Sequence, residues 1–196
     1  MRLIIIRHGQ TSSNTRHLLD TGYPGAPLNE VGLAQARALV GALAGEPIEA
    51  IMASDLTRAR QTAEPLAAAR GLEIIEHPGL REIYAGDFDM DVDWEPYLGL
   101  IQAWPADPAN PDRRIPGGES AAGFFQRFDG AVRQLAETGY GCAALVSHGG
   151  ALLTWLFGRA AGLPHDDPGR LALGNTANLV LEDGGGSWRV ERWADR

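Results

Sequence analysis

Two histidines in this chain stand in similar company: His8 in Arg7-His8-Gly9-Gln10-Thr11 and His148 in Ser147-His148-Gly149-Gly150. A neutral imidazole is a nucleophile when one ring nitrogen keeps a free lone pair and a backbone acceptor holds the other. Read alone, His8 serves equally well as a hydrogen-bonded histidine at a strand edge. His148 precedes two glycines where a strand opens into a helix. Free amides and the positive helix end make such a place a natural anion site. The plainer alternative for His148 is a buried capping residue. A third segment, Ser54-Asp55-Leu56-Thr57-Arg58-Ala59-Arg60-Gln61-Thr62, carries a guanidinium that can fork onto two phosphate oxygens. If Ser54 caps the helix, Arg58 lies in its first turns and leans back toward the preceding strand end. Thr62 shares that face, whereas Arg60 projects elsewhere and reads as a surface charge. By itself Arg58 would read as a solvated helix arginine. A fourth segment, Leu80-Arg81-Glu82-Ile83-Tyr84-Ala85-Gly86, offers an acid to protonate a leaving alkoxide, and Asp87 qualifies by type as well.

Each of these four segments follows a stretch that reads as a strand. Residues 2–6, 48–53, 72–76 and 143–147 are short, apolar and rich in β-branched or small residues. Between them, helical spacing of apolar residues predicts helices over 29–44 (Asn29 as N-cap), from Ser54 to about 69 (Gly71 as terminator), over about 119–137 and from 149 to near 158. Two further strands, 176–182 and 187–193, flank the hairpin signal Gly184-Gly185-Gly186. Alternation of strand and helix predicts an α/β fold, a three-layer α/β/α sandwich with a mostly parallel central sheet. In such folds ligands bind beyond the carboxyl ends of the strands. Residues 85–118 break the pattern, with five prolines, many aspartates, Trp94 and Trp104. We read them as a lid-like insertion with one short helix near 91–103, within a single domain spanning 1–196.

Composition narrows the classes. The chain has 196 residues with 44% hydrophobic and 21% charged, enough for a substantial core without crosslinks. Its single cysteine, Cys142, rules out an intramolecular disulfide and suits a reducing, cytoplasmic setting. The apolar run 3–6 is too short for a signal peptide, and no run approaches a membrane span. A net charge of −8 disfavours nucleic acid and anionic membranes as partners. An anionic substrate would therefore need locally clustered arginines.

The four segments, in this order, resemble the histidine phosphatase superfamily, also called phosphoglycerate mutase-like, from Arg7 to about Gly150. The pairing of Arg-His-Gly with a later Ser-His-Gly is its most specific signature. The resemblance implies that His8 is the phosphorylated nucleophile and that Arg7, Arg58 and His148 form a phosphate pocket. It implies that Glu82 is the proton donor. Gln10, Asn14, Thr21, Gly22 and Gly149 match positions lining the phosphate and substrate pocket, and Arg60 matches only some branches. No metal and no cofactor are implied, and a small phosphorylated metabolite is the expected partner. Many relatives carry an aromatic residue, an acid and a glycine after the Glu82 segment, whereas Gly86-Asp87-Phe88-Asp89-Met90 here lacks the last glycine. Cofactor-dependent mutases of the group are usually longer in the middle insertion, which favours hydrolysis here. Arg113 and Arg114 fall where relatives grip a second anionic group; the alternative is a solvated pair offsetting nearby aspartates. His17, His77 and His165 match no catalytic position. Trp188 and Trp193 are expected to pack one face of the last strand, a homodimer contact being the alternative. Three rivals stay open at this point: a phosphoglycerate mutase, a non-catalytic phospholigand-binding protein, and a metal-dependent hydrolase, which lacks close ligand spacings such as H-x-x-x-H.

Overall fold

The computed structural model describes residues 1–163, 173–185 and 187–193. In chain order it comprises β1 (Arg2–Arg7), α1 (Ser12–Thr15), α2 (Glu30–Ala42), β2 (Ala50–Ala53), α3 (Thr57–Arg70), β3 (Ile74–Glu76), α4 (Glu95–Ala103), α5 (Ala121–Glu137), β4 (Cys142–Ser147), α6 (Gly149–Arg159), β5 (Ala160–Ala161), β6 (Asn178–Asp183) and β7 (Trp188–Trp193). The strands form one sheet in the order β3-β2-β4-β1-β6-β7-β5. The four strands β3, β2, β4 and β1 run parallel. Beyond them β6 pairs antiparallel with β1 and with β7, so the sheet is mixed at one side.

The apolar run in β1 is continuous because both faces of a central parallel strand are covered. Leu3 and Ile5 join one cluster with Tyr97, Phe124, Phe128 and Trp155 from α4, α5 and α6. Ile4 and Ile6 join a second with Leu39, Ala59, Ala63 and Leu66 from α2 and α3. Helices thus cover both faces, as the expected three-layer sandwich requires. Asn29 caps α2 through a bond from Gly32 N, and Gly71 ends α3 in the left-handed conformation at φ 65°. Trp188 and Trp193 pack partly buried against the first cluster, with Trp188 tilted against Trp155 at 6.1 Å.

Several expectations need revising. Ser54 does not cap α3: the helix begins at Thr57 after Leu56, with no side-chain cap, and Thr57 N instead donates to Pro24 O at 3.0 Å. The insertion is more than surface loop. Tyr97, Ile101, Trp104 and Ile115 are buried, which ties it into the core. The hairpin joins β6 to β7 as expected, although Gly186 itself, like His165, lies outside the described residues.

The loop after β1 and the first turn of α2 meet backbone to backbone. A Cβ on Gly9 would stand 2.8 Å from Gly32 O, and one on Gly32 would stand 2.1 Å from Gln10 O. Neither contact is with a flexible side-chain tip, so the two main chains would have to separate. The expected outcome for Gly32→Ala is a loss of about 2–3 kcal/mol, since overpacking costs that much in a close-packed interior. It would be measured as a lower urea midpoint at unchanged m. An unshifted midpoint would show that the loop yields freely.

Candidate active site

Strand register brings the first three segments together. Arg7 lies beside Ser147 in the β1–β4 pairing, and Ala53 lies beside Val146 in the β2–β4 pairing. The next residue of each chain therefore emerges at the same sheet edge, which places His8, Ser54 and His148 side by side. His8 N continues the ladder to Ser147 O at 3.0 Å, and Ser54 N does so to Val146 O at 2.9 Å.

His8 is buried, 4% exposed. Its Nδ1 faces Gly9 O at 2.7 Å, and a carbonyl only accepts, so Nδ1 carries the proton. Arg58 Nε donates to His8 Nε2 at 3.1 Å, which requires an unprotonated Nε2. Burial, then the charges of Arg58 and Arg7, holds the His8 pKa well below 6.5. His148 is fully buried, with its ring centroid 5.1 Å from that of His8. Its Nε2 lies 2.9 Å from Ser54 Oγ, while Ser54 Oγ accepts from Leu56 N at 3.3 Å. The other ring nitrogen, Nδ1, is buried and has no partner. Burial and then Arg58 push the His148 pKa well down too, so both rings are neutral near pH 7.

The two arginines are incompletely paired. Arg7 Nη1 donates to Leu173 O, while its Nε is buried without a partner. Arg58 Nη2 donates to Asp20 O at 2.9 Å, and its Nη1 is buried without a hydrogen bond, 3.8 Å from Asp20 Oδ1. Burial lowers the pKa of both. A guanidinium nevertheless stays charged in proteins.

The fourth segment follows the edge strand β3 but returns over the strand ends. Ser147 Oγ donates to Leu80 O at 2.8 Å. From α5, Arg127 donates to Gly79 O, Arg81 O and Glu82 O at 2.7, 2.8 and 3.1 Å, and Glu119 holds its guanidinium. Glu82 then accepts from Ile83 N at 2.9 Å, Gly150 N at 3.0 Å and Ala151 N at 2.7 Å. It therefore caps α6, a task the His148 side chain does not perform. Of the two candidate acids, only Glu82 lines the adjoining cavity; Asp87 is exposed and packs against Gly117.

That cavity, of about 660 Å³, has Arg7, His8, Arg58, Glu82 and Gly149 at one end, with Asn14 and Thr21 beside them. Asn14 Oδ1 accepts from Thr11 N at 3.1 Å and from Asn175 Nδ2 at 3.2 Å. Thr21 Oγ1 donates to Asp89 Oδ1 at 2.6 Å and accepts from Ala85 N at 3.0 Å. Four of the expected residues stand apart from the cavity lining, and the fully buried His148 is one of them. Gln10 Oε1 accepts from Asn29 Nδ2 at 3.0 Å and so braces the start of α2. Gly22 backs onto the Asp89 carboxylate. Arg60 makes a surface pair with Glu76 at 3.6 Å. Arg113 pairs with Asp107 at 3.5 Å, Arg114 is exposed, and neither lines the cavity. His77 caps a turn by accepting from Gly79 N, and His17 is an exposed loop residue. Sequence reasoning missed Ser54 as the partner of His148, Asp20 beside Arg58, and Arg127. It also missed Asn175, whose Nδ2 donates to His8 O at 3.1 Å. None has a local signal, because each acts across a large sequence distance.

Known proteins resemble this chain in sequence and in fold. The model of the histidine phosphatase superfamily (branch 1) matches residues 3–196. A probable phosphoglycerate mutase GpmB of Photorhabdus laumondii is 30% identical over 98% of this chain and 90% of its own length. A mycobacterial glucosyl-3-phosphoglycerate phosphatase, solved with VO3, superposes with TM-score 0.78 at 26% identity, covering 100% of this chain and 99% of its own. The alpha-ribazole phosphatase of Shigella flexneri does so with TM-score 0.76 at 28% identity, covering 100% and 96%. With His8, Arg7, Arg58 and Glu82 lining one cavity and a family match over nearly the whole length, the chain belongs to the histidine phosphatase superfamily.

Proposed function

We propose that this protein hydrolyses phosphomonoesters of small metabolites through a phosphohistidine on His8, with Glu82 as proton donor. The observation that carries the reading is a set of three buried nitrogens without partners, Arg7 Nε, Arg58 Nη1 and His148 Nδ1, gathered about one neutral imidazole. Buried donors left unpaired are costly, and a phosphate dianion supplies acceptors for all three. Phosphatase structures among the neighbours support the same reading.

The steps balance as follows. The incoming phosphate draws Arg58 Nε from His8 Nε2 and frees the lone pair. Nε2 bonds to phosphorus while the bond from phosphorus to the alcohol oxygen breaks, and Glu82 gives that oxygen its proton. Nδ1 keeps its proton and donates it in a hydrogen bond to Gly9 O, so the carbonyl dipole steadies the charged phosphohistidine. Water then attacks phosphorus, Glu82 takes its proton, and the lone pair returns to Nε2. Arg7 and Arg58 neutralise the equatorial oxygens, a role metal ions fill in other phosphoryl-transfer enzymes, so the proposed reaction is metal-independent. Relatives described as probable phosphoglycerate mutases favour a second reading, phosphoryl transfer between positions of one acid. Free phosphate released against isomer formed separates the two.

Substitution tests the assignments. His8→Ala is expected to lose acid-labile phosphoryl labelling and at least about a thousandfold in kcat, as removal of a nucleophile does. Full turnover in that variant ends the proposal. Glu82→Gln is expected to lose about a hundredfold or more on alkyl esters, and much less on p-nitrophenyl phosphate, whose leaving group needs no proton. An equal loss on both would assign Glu82 to structure alone. Activity unchanged after exhaustive chelation is expected.

The tautomer makes a separate prediction. A depressed pKa means that His8 stays neutral as pH falls through 6.5, rather than half-protonating there. ¹⁵N NMR of labelled imidazoles should show Nδ1–H and an unprotonated Nε2 for His8 at pH 6.5. A titration centred at the ordinary value would remove the basis for a free nucleophile.

A further inference from the structure

The cavity has a second end whose chemistry is different, and it bears on which alcohol leaves. Beyond the arginines, its walls include Leu18, Trp94, Leu98, Ile101 and Leu153, contributed by the loop after α1, by α4 with its preceding residue, and by α6, with the uncharged polar Gln102 and Thr154 from the same two helices. The aromatic groups there have spent their polar atoms. Trp94 Nε1 donates to His17 O at 2.9 Å, and the Tyr97 hydroxyl donates to Ile83 O at 3.1 Å. Burial also pushes the Tyr97 pKa well above 10, so the ring stays neutral. What both present to the cavity is carbon.

Charge is rationed as well. Among the described lining residues the cations are Arg7 and Arg58, and the anions are Asp20 and Glu82. Both arginines are at the His8 end, where one phosphoryl group occupies them. Arg113 and Arg114, the basic pair suggested by sequence, do not line the cavity. Among the described residues, a carboxylate or second phosphate on the substrate would find no cation at that end, against mostly apolar walls that cost it hydration. The cavity's size fits a ligand much larger than phosphate alone.

We infer that the substrate is a phosphomonoester of an uncharged, largely apolar alcohol, the hydrocarbon body seated between α4 and α6 and the phosphoryl group at His8. This rests on the seating of phosphate proposed above. It sets the chain apart from the phosphoglycerate chemistry named for some of its relatives.

The test compares two primary alkyl esters of similar intrinsic reactivity, 3-phenylpropyl phosphate and 4-carboxybutyl phosphate. Two readouts are used: kcat/KM with the unaltered protein, and calorimetric binding to His8→Ala, which needs no turnover. The expected result is at least a tenfold preference for the phenylpropyl ester in both, with the kinetic preference mostly in KM. Equal or better use and binding of the carboxylated ester overturns the inference while leaving the hydrolase reading intact. Preferential binding of the phenylpropyl ester without hydrolysis of either one supports the inference and defeats the hydrolase reading. Leu98→Lys, which adds a cation to the wall, is expected to bring the two esters within about threefold. An unchanged ratio in a folded Leu98→Lys variant counts against this placement of the hydrocarbon body.

Discussion

Two guanidinium groups stand at the edge of this sheet with buried nitrogens that no acceptor meets, Arg7 Nε and Arg58 Nη1. Arg58 is 3% exposed, and its nearest carboxylate, Asp20, stands 3.8 Å away. Asp20 is itself shared, because its Oδ2 also accepts from Ser13 Oγ and Ala26 N. Burying a charge costs several kcal/mol even after relaxation, and only good partners repay it. The unsatisfied positive field has two effects that work together. Together with burial, the larger cause, it keeps His8 and His148 from taking up protons, and it favours an anion in their midst. The partner of His8 Nδ1 suits the same purpose. A carbonyl at Gly9 fixes the tautomer without adding the negative charge that a carboxylate partner would use to hold the ring protonated.

Holding such an arrangement requires attachments on several sides, and the fold supplies them from separate elements. The β1–β4–β2 register sets the emergence points of residues 8, 54 and 148. Thr62 in α3 accepts from Gly9 N and donates to Arg58 O, so one hydroxyl ties the His8 loop to the helix bearing the arginine. Thr176 N donates to Arg7 O and Asn175 Nδ2 to His8 O, which fastens the other side of the loop. Arg127 grips three carbonyls of the segment that carries Glu82. A displacement of about 1 Å can cost a hundredfold in rate. These remote contacts therefore matter to any chemistry at His8 as much as they do to stability.

The parts legible in the sequence were those in which a short motif follows a strand directly. Arg7-His8-Gly9 and Ser147-His148-Gly149 could be placed because strand register converts adjacency in sequence into adjacency in space. Asn29 and Gly71 were legible because capping is local. Ser54 misled for the same reason. A serine three residues before a helix looks like a cap, yet its hydroxyl is taken by an imidazole 94 positions away. Gly9 carries no local signal for its neighbour, the first turn of α2, which it approaches backbone to backbone. Gln10 was matched to a pocket position, but its carboxamide faces Asn29. The insertion's proline and aspartate content concealed its role, and the clue was its aromatic content, since Tyr97 and Trp104 are each 2% exposed.

Chemistry and selectivity occupy different kinds of structure in this molecule. The phosphate end is built from strand termini, whose spacing the backbone ladder enforces. The far end is built from α4 and α6, whose facing side chains no such ladder constrains. Substitutions at the first end must satisfy buried donors and charges. Those at the second need only fill volume, and apolar cores tolerate that readily. One fold can therefore keep a fixed phosphoryl site while its leaving-group pocket drifts, so family membership predicts the reaction better than the substrate.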